Sequence, residues 1–152
     1  MGVECGILNS KQHGKGRVTT MTYWKDTMLI GVPKIDAQHK KLIAAIDNLM
    51  AACTRGEGRA AIDKMLAFTV SYTKEHFADE ERLQAEYAYP GAAAHKRLHS
   101  QFLSTVSALV NEYEKTGPTV SLVGKLNKSL VDWVIQHIST EDKKVGEYIK
   151  KR

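Results

Sequence analysis

Six histidines stand in this chain, and five of them fall into a pattern with two carboxylates: His39, His76 with Glu80, His95 with His99, and His137 with Asp142. Imidazoles and carboxylates are metal ligands, and imidazole suits zinc, copper, iron and nickel. His76 and Glu80 are four residues apart, and so are His95 and His99. On an α-helix that spacing sets both side chains on one face, about 40° apart around the axis. One inward histidine is ordinarily a core residue with a hydrogen-bond partner. Five, with Glu80 among them, would need mutual satisfaction that a core rarely supplies without a metal. Seven candidate ligands exceed the four that one zinc takes, and the His-Glu-x-x-His pattern of zinc hydrolases is absent. The Glu-x-x-His pairs of ferritin-like di-iron sites are absent as well. The donor set is rich in histidine, poor in carboxylate and large enough for two ions.

Such a set needs rigid elements to bring it together. Pro33, Pro90 and Pro118 fall between periodic segments, and Gly56 with Gly58 marks the remaining break. The 3.6-residue period predicts helices over Asp36 to Thr54 (with Asp36 as N-cap), Arg59 to Tyr87, Ala92 to Lys115 and Thr119 to Ile149. Each histidine of the set lies on the apolar stripe of its helix, and nothing alternates like a strand. Four helices on short turns predict an all-α fold, an antiparallel up-down-up-down four-helix bundle over residues 21–152. Residues 1–20 lack the period and are expected to form a flexible N-terminal extension. One spacing resists this scheme. His137 and Asp142 are five apart, roughly 140° around an ideal helix. Glu141 fits better on spacing alone, and Asp142 would need a local widening such as a π-bulge. Asp79 and Glu81, which flank Glu80, are expected to face solvent.

The 152 residues suit one domain with one core, and 43% of them are hydrophobic. No apolar run reaches the length of a membrane span, and the N-terminus lacks the apolar stretch of a signal peptide. A cytoplasmic location is the expectation. Cys5 and Cys53 are too few and too far apart for a disulfide framework or a Cys-x-x-Cys metal site. The net charge of +5 comes largely from the two ends, with no reading element beside it, so no nucleic-acid partner is expected.

The motifs in their order resemble those of the bacterial hemerythrins. They are Trp24 through Gly31, Ile35-Asp36-x-Gln38-His39, His76-Phe77-x-x-Glu80-Glu81, Tyr89-Pro90, His95-x-x-x-His99-x-x-Phe102 and Trp133-x-x-x-His137-Ile138-x-x-x-Asp142. The resemblance spans Thr22 to Lys150. It implies two non-haem iron ions bridged by an oxo or hydroxo oxygen and two carboxylates. One iron would take His95, His99 and His137, and the other His39 and His76. Glu80 and Asp142 would bridge them; for that role the family pattern favours Asp142 over Glu141. Two six-coordinate irons offer twelve positions. Five imidazoles, two bridging carboxylates and one bridging oxygen fill eleven, which leaves one open on the iron with two histidines. The implied function is reversible O2 binding by a monomeric protein that is not an enzyme, for storage or for delivery to oxygen-consuming enzymes. The competing readings are a redox enzyme (a peroxidase or a nitric-oxide-handling protein) and an oxygen sensor.

Overall fold

The computed structural model describes residues 22–152; the expectation for the 1–20 extension, with Cys5 and His13, lies outside them. Four helices follow one another: α1 (Pro33–Thr54), α2 (Arg59–Glu86), α3 (Ala92–Thr116) and α4 (residues 120–150). No strand occurs among the described residues. The connecting turns are short, so consecutive helices run antiparallel. α1 packs on α2, α2 on α3 and α3 on α4, and α4 returns to α1. This closes the four-helix bundle that the periodicity predicts.

Alternating helix direction decides where the candidate ligands meet. His39 lies near the start of α1 and His95 and His99 near the start of α3, whereas His76 and Glu80 lie late in α2, and His137 and Asp142 late in α4. In an antiparallel bundle all of these belong to the same end. The opposite end is filled by Leu49, Ile62, Leu66, Leu109, Leu122 and Leu126, all buried. Each such side chain contributes about 1.5–3 kcal/mol on burial, so the apolar end anchors the bundle.

The start of α1 departs from the sequence expectation. The helix begins at Pro33, with Val32 as N-cap, three residues before Asp36. Proline suits that first position, because the N–H it lacks would have had no helical partner. Asp36 lies inside the first turn, and its carboxylate reaches back to accept hydrogen bonds from the Ile30 N–H (2.7 Å) and the Gly31 N–H (3.0 Å). Those bonds tie down an arm, residues 22–32, whose Met28 and Ile30 are buried. The arm crosses to α4, where the carbonyl oxygen of Ile30 lies in the space that a Cβ on Gly146 would occupy. Gly31 has φ +83°, a left-handed conformation that glycine adopts at no steric cost.

α4 is not uniformly α-helical. Two π-helical stretches interrupt it, Asn127–Asp132 and Ile138–Asp142. Thr119 caps its start, its hydroxyl accepting from the Leu122 N–H at 3.2 Å.

The contact at Gly146 yields a prediction of sign. Helix propensity alone makes Gly146→Ala stabilising by about 1 kcal/mol. The clash is with backbone, which cannot swing aside, so overpacking should dominate and cost about 1–3 kcal/mol. Urea denaturation of the variant checks this; a rise in stability would show that the arm yields freely.

Candidate metal centre

All seven candidate ligands are buried, between 0% and 5% exposed. The i,i+4 pairs supply two of the contacts. His95 and His99 point the same way from α3, with their Nε2 atoms 3.0 Å apart. His137 joins them from α4, its Nε2 2.9 Å from that of His95 and 3.1 Å from that of His99. Three nitrogens cannot all satisfy one another at these distances, because each ring nitrogen either carries a hydrogen or accepts one. The spacing is that of three mutually cis ligands, each about 2.1 Å from one central ion.

Asp142 lies between two groups of imidazoles. Its Oδ1 is 3.2 Å from Nε2 of His95 and 3.1 Å from Nε2 of His137, while its Oδ2 is 3.0 Å from Nε2 of His39. Glu80 Oε2 lies 3.3 Å from His99, 3.6 Å from His95 and 3.9 Å from His76, measured to Nε2. Ligand atoms of Glu80, His95, His99, His137 and Asp142 all fall within 4.8 Å of one another. His39, His76 and Asp142 form a second such group, so Asp142 belongs to both.

The spacing conflict on α4 resolves in the backbone. Ile138–Asp142 is π-helical, and i→i+5 bonding widens the turn until residues five apart come nearly into line. Asp142 therefore faces the same interior as His137. Glu141 points outward, partly exposed, with Oε1 2.8 Å from Lys144 Nζ.

Unpaired atoms test whether a metal suits these residues. Among the described residues, both ring nitrogens of His39, Nδ1 of His95 and all four carboxylate oxygens of Glu80 and Asp142 are buried without a hydrogen-bond partner. The 3.0 Å approach of His39 to Asp142 is one of closeness only, since no ring N–H is aimed at the oxygen. An unsatisfied buried group costs roughly 1–3 kcal/mol. Seven of them rival the roughly 5–15 kcal/mol by which a whole domain is stable. Cations between the two groups would engage the converging Nε2 and carboxylate atoms together and, of the seven, leave only Nδ1 of His39 and of His95 without a partner, so the residues fit a pair of metal ions.

The electrostatics show a cluster that draws in positive charge. Burial pushes His76 down to about 4, assisted by neighbouring His39, so its ring is neutral, the form that ligates. Burial also pulls on His95, but contacts with Asp142 and Glu80 hold it up, at about 9, so with no cation in the cluster this ring carries a proton that a bound metal would displace. Burial raises Asp142, yet the imidazoles of His137, His39 and His95 keep its carboxyl well below the ordinary range. Burial and the Asp142 charge likewise push Glu80 toward protonation, and His95 and His99 outweigh them.

Surrounding residues hold the rings in place. Phe77 stacks on His99 with ring centroids 3.7 Å apart, and Trp133 stacks on His137 at 4.3 Å. Two further residues reach the backs of the rings. Gln38 Nε2 donates to Asp79 Oδ2 at 2.7 Å, which leaves its Oε1 facing His76 Nδ1 at 3.2 Å. Because Asp79 can only accept, the amide orientation is determined. His76 then donates from Nδ1, and its Nε2 lone pair faces inward. Glu81 Oε1 accepts from His99 Nδ1 at 3.2 Å in the same way. These contacts correct the expectation that Asp79 and Glu81 simply face solvent. Their hint in the sequence is position: Asp79 and Glu81 flank Glu80, and Gln38 precedes His39. Which inner ring each would meet depends on the neighbouring helix.

Comparison with known proteins agrees with this geometry. The profile of the hemerythrin HHE cation binding domain matches residues 30–149. A bacteriohemerythrin of Stenotrophomonas maltophilia (strain R551-3) is 35% identical over 127 residues, covering 84% of this chain and 80% of the relative. A bacteriohemerythrin of Pseudomonas paraeruginosa is 35% identical over 120 residues, covering 78% and 75%. The myohemerythrin of Riftia pachyptila is 29% identical over 119 residues, covering 78% and 86%. The family's cofactor is a non-haem di-iron centre, and the buried histidine–carboxylate cluster found here is one that could hold it. On the extent of the profile match and the identity of these relatives, the chain belongs to the hemerythrin family.

Proposed function

We propose that this chain binds O2 reversibly at a di-iron centre, for oxygen storage or for delivery to oxygen-consuming enzymes. In this reading His95, His99 and His137 would hold one iron, His39 and His76 would hold the other, and Glu80 and Asp142 would be shared between them. The observation that carries the reading is the two-lobed donor cluster: three convergent imidazoles on one side, two on the other, and Asp142 offering one oxygen to each. The unequal histidine count leaves one iron short of a protein ligand, and an open coordination position is where a small molecule binds. When bound, the irons supply the electrons that O2 takes up and returns.

The protein's part is to confine that exchange. Burial of all seven side chains excludes bulk water. Phe77 and Trp133 lie against His99 and His137 and stop those rings from turning. Gln38 and Glu81 fix the tautomers of His76 and His99, so that a nitrogen lone pair is always presented inward. Among the described residues no helix is long and apolar enough to cross a membrane, and we place the protein in the cytoplasm as a monomer.

Two predictions follow from the ligand set. Purified protein reconstituted under argon should hold two irons per chain, gain a new absorption band on exposure to O2 and lose it on degassing through several cycles. Irreversible bleaching in the first cycle, or continuous O2 consumption with a reductant, would favour the enzyme reading. The bridge is tested by two variants. Asp142→Ala should strip the protein of much of its iron, whereas Glu141→Ala should keep the wild-type complement and change stability by no more than about 0.5 kcal/mol. Exchanged phenotypes would make Glu141 the bridging carboxylate.

A further inference from the structure

The backs of two histidines are held differently, and the difference separates the two sides of the centre. His99, in the three-histidine group, meets a carboxylate directly: Glu81 Oε1 at 3.2 Å from Nδ1. His76, in the two-histidine group, meets a neutral amide, Gln38 Oε1, also at 3.2 Å. Behind that amide stands a carboxylate, Asp79, but one residue farther away. Both chains end on a lysine at the surface. Lys96 Nζ lies 3.2 Å from Glu81 Oε2, and Lys34 Nζ lies 3.1 Å from Asp79 Oδ2. Arg82 also pairs with Asp79. The chains therefore match, except that on one side an uncharged amide is inserted and a second cation, Arg82, neutralises the carboxylate.

A carboxylate that accepts from Nδ1–H draws the proton away and makes Nε2 a stronger donor, and stronger donation favours the more highly charged metal state. A neutral amide fixes the tautomer with much less of that effect. We propose that Glu81 and Gln38 are positioning residues that make the two irons unequal. Glu81, through His99, makes the three-histidine iron the easier one to oxidise. Gln38 orients His76 without adding charge on the side that keeps the open position. The inference rests on the di-iron reading above. In each one-electron oxidation a ferrous ion becomes ferric, and the electron passes to an external mediator.

Four variants of the full, iron-loaded chain test this: Glu81→Gln, Asp79→Asn, Lys96→Met and Gln38→Met. The readouts are the first midpoint in a mediated redox titration and the retention of iron against a chelator. Glu81→Gln should move the midpoint upward. Asp79→Asn removes the same charge one amide farther out and should move it less. Lys96→Met unmasks the Glu81 charge and should move it downward, a reversal of sign that loosened packing would not produce. Gln38→Met should leave the midpoint nearly in place and hold iron roughly ten- to hundred-fold less tightly. Equal shifts from Glu81→Gln and Asp79→Asn, an unmoved midpoint in Glu81→Gln, or wild-type iron retention in Gln38→Met would overturn the proposal. A wild-type chain that cannot hold two irons would overturn the di-iron reading itself. Two irons in wild type with unmoved midpoints would overturn only the inequality.

Discussion

A cluster of unpaired lone pairs in a hydrocarbon core is the constraint around which this protein is arranged. Five imidazoles and two carboxylates sit where Leu and Ile would otherwise pack, and seven of their polar atoms find no protein partner. Carboxylates in such a place ordinarily take up protons. Glu80 and Asp142 do the opposite, because imidazoles surround them. The cluster calls for positive charge among its lone pairs, and a pair of irons of the kind the hemerythrin family binds would supply it. The polar end then becomes a source of cohesion between helices. Without that charge, the apolar end of Leu49, Ile62, Leu122 and Leu126 would have to hold the bundle against it.

Everything else in the fold serves convergence. Antiparallel order brings the early turns of α1 and α3 level with the late turns of α2 and α4. The π-helical stretch Ile138–Asp142 turns one carboxylate inward that an α-helix would turn away. Such a turn gives up regular backbone bonding and is tolerated where a functional position requires it. The arm of residues 22–32, tied to Asp36 and seated against Gly146, joins α1 to α4 at the same end. Ring stacking and the hydrogen bonds from Nδ1 then fix the imidazoles, a degree of order that a ligand set needs as much as the right residue types.

The helices and six of the seven cluster residues were legible because periodicity of 3.6 and spacing of four report directly on a helix face. Asp142 was legible only through the family motif. Spacing favoured Glu141, and no propensity rule announces a π turn. The role of Asp36 was misread for a related reason: an acidic residue near a helix start resembles an N-cap, but Pro33 lets the helix begin earlier. Asp79 and Glu81 read as solvent-facing because a single helix contains no record of its neighbours. Only packing shows that α1 brings Gln38 to Asp79, and α3 brings His99 to Glu81.

The most direct test is a crystal structure of the iron-loaded chain with anomalous diffraction recorded on both sides of the iron absorption edge. Two anomalous peaks a few ångströms apart are expected, one among His95, His99 and His137 and one beside His39 and His76, with Asp142 and Glu80 spanning them. A single peak, or two peaks with Asp142 bound to neither, would contradict the centre described here.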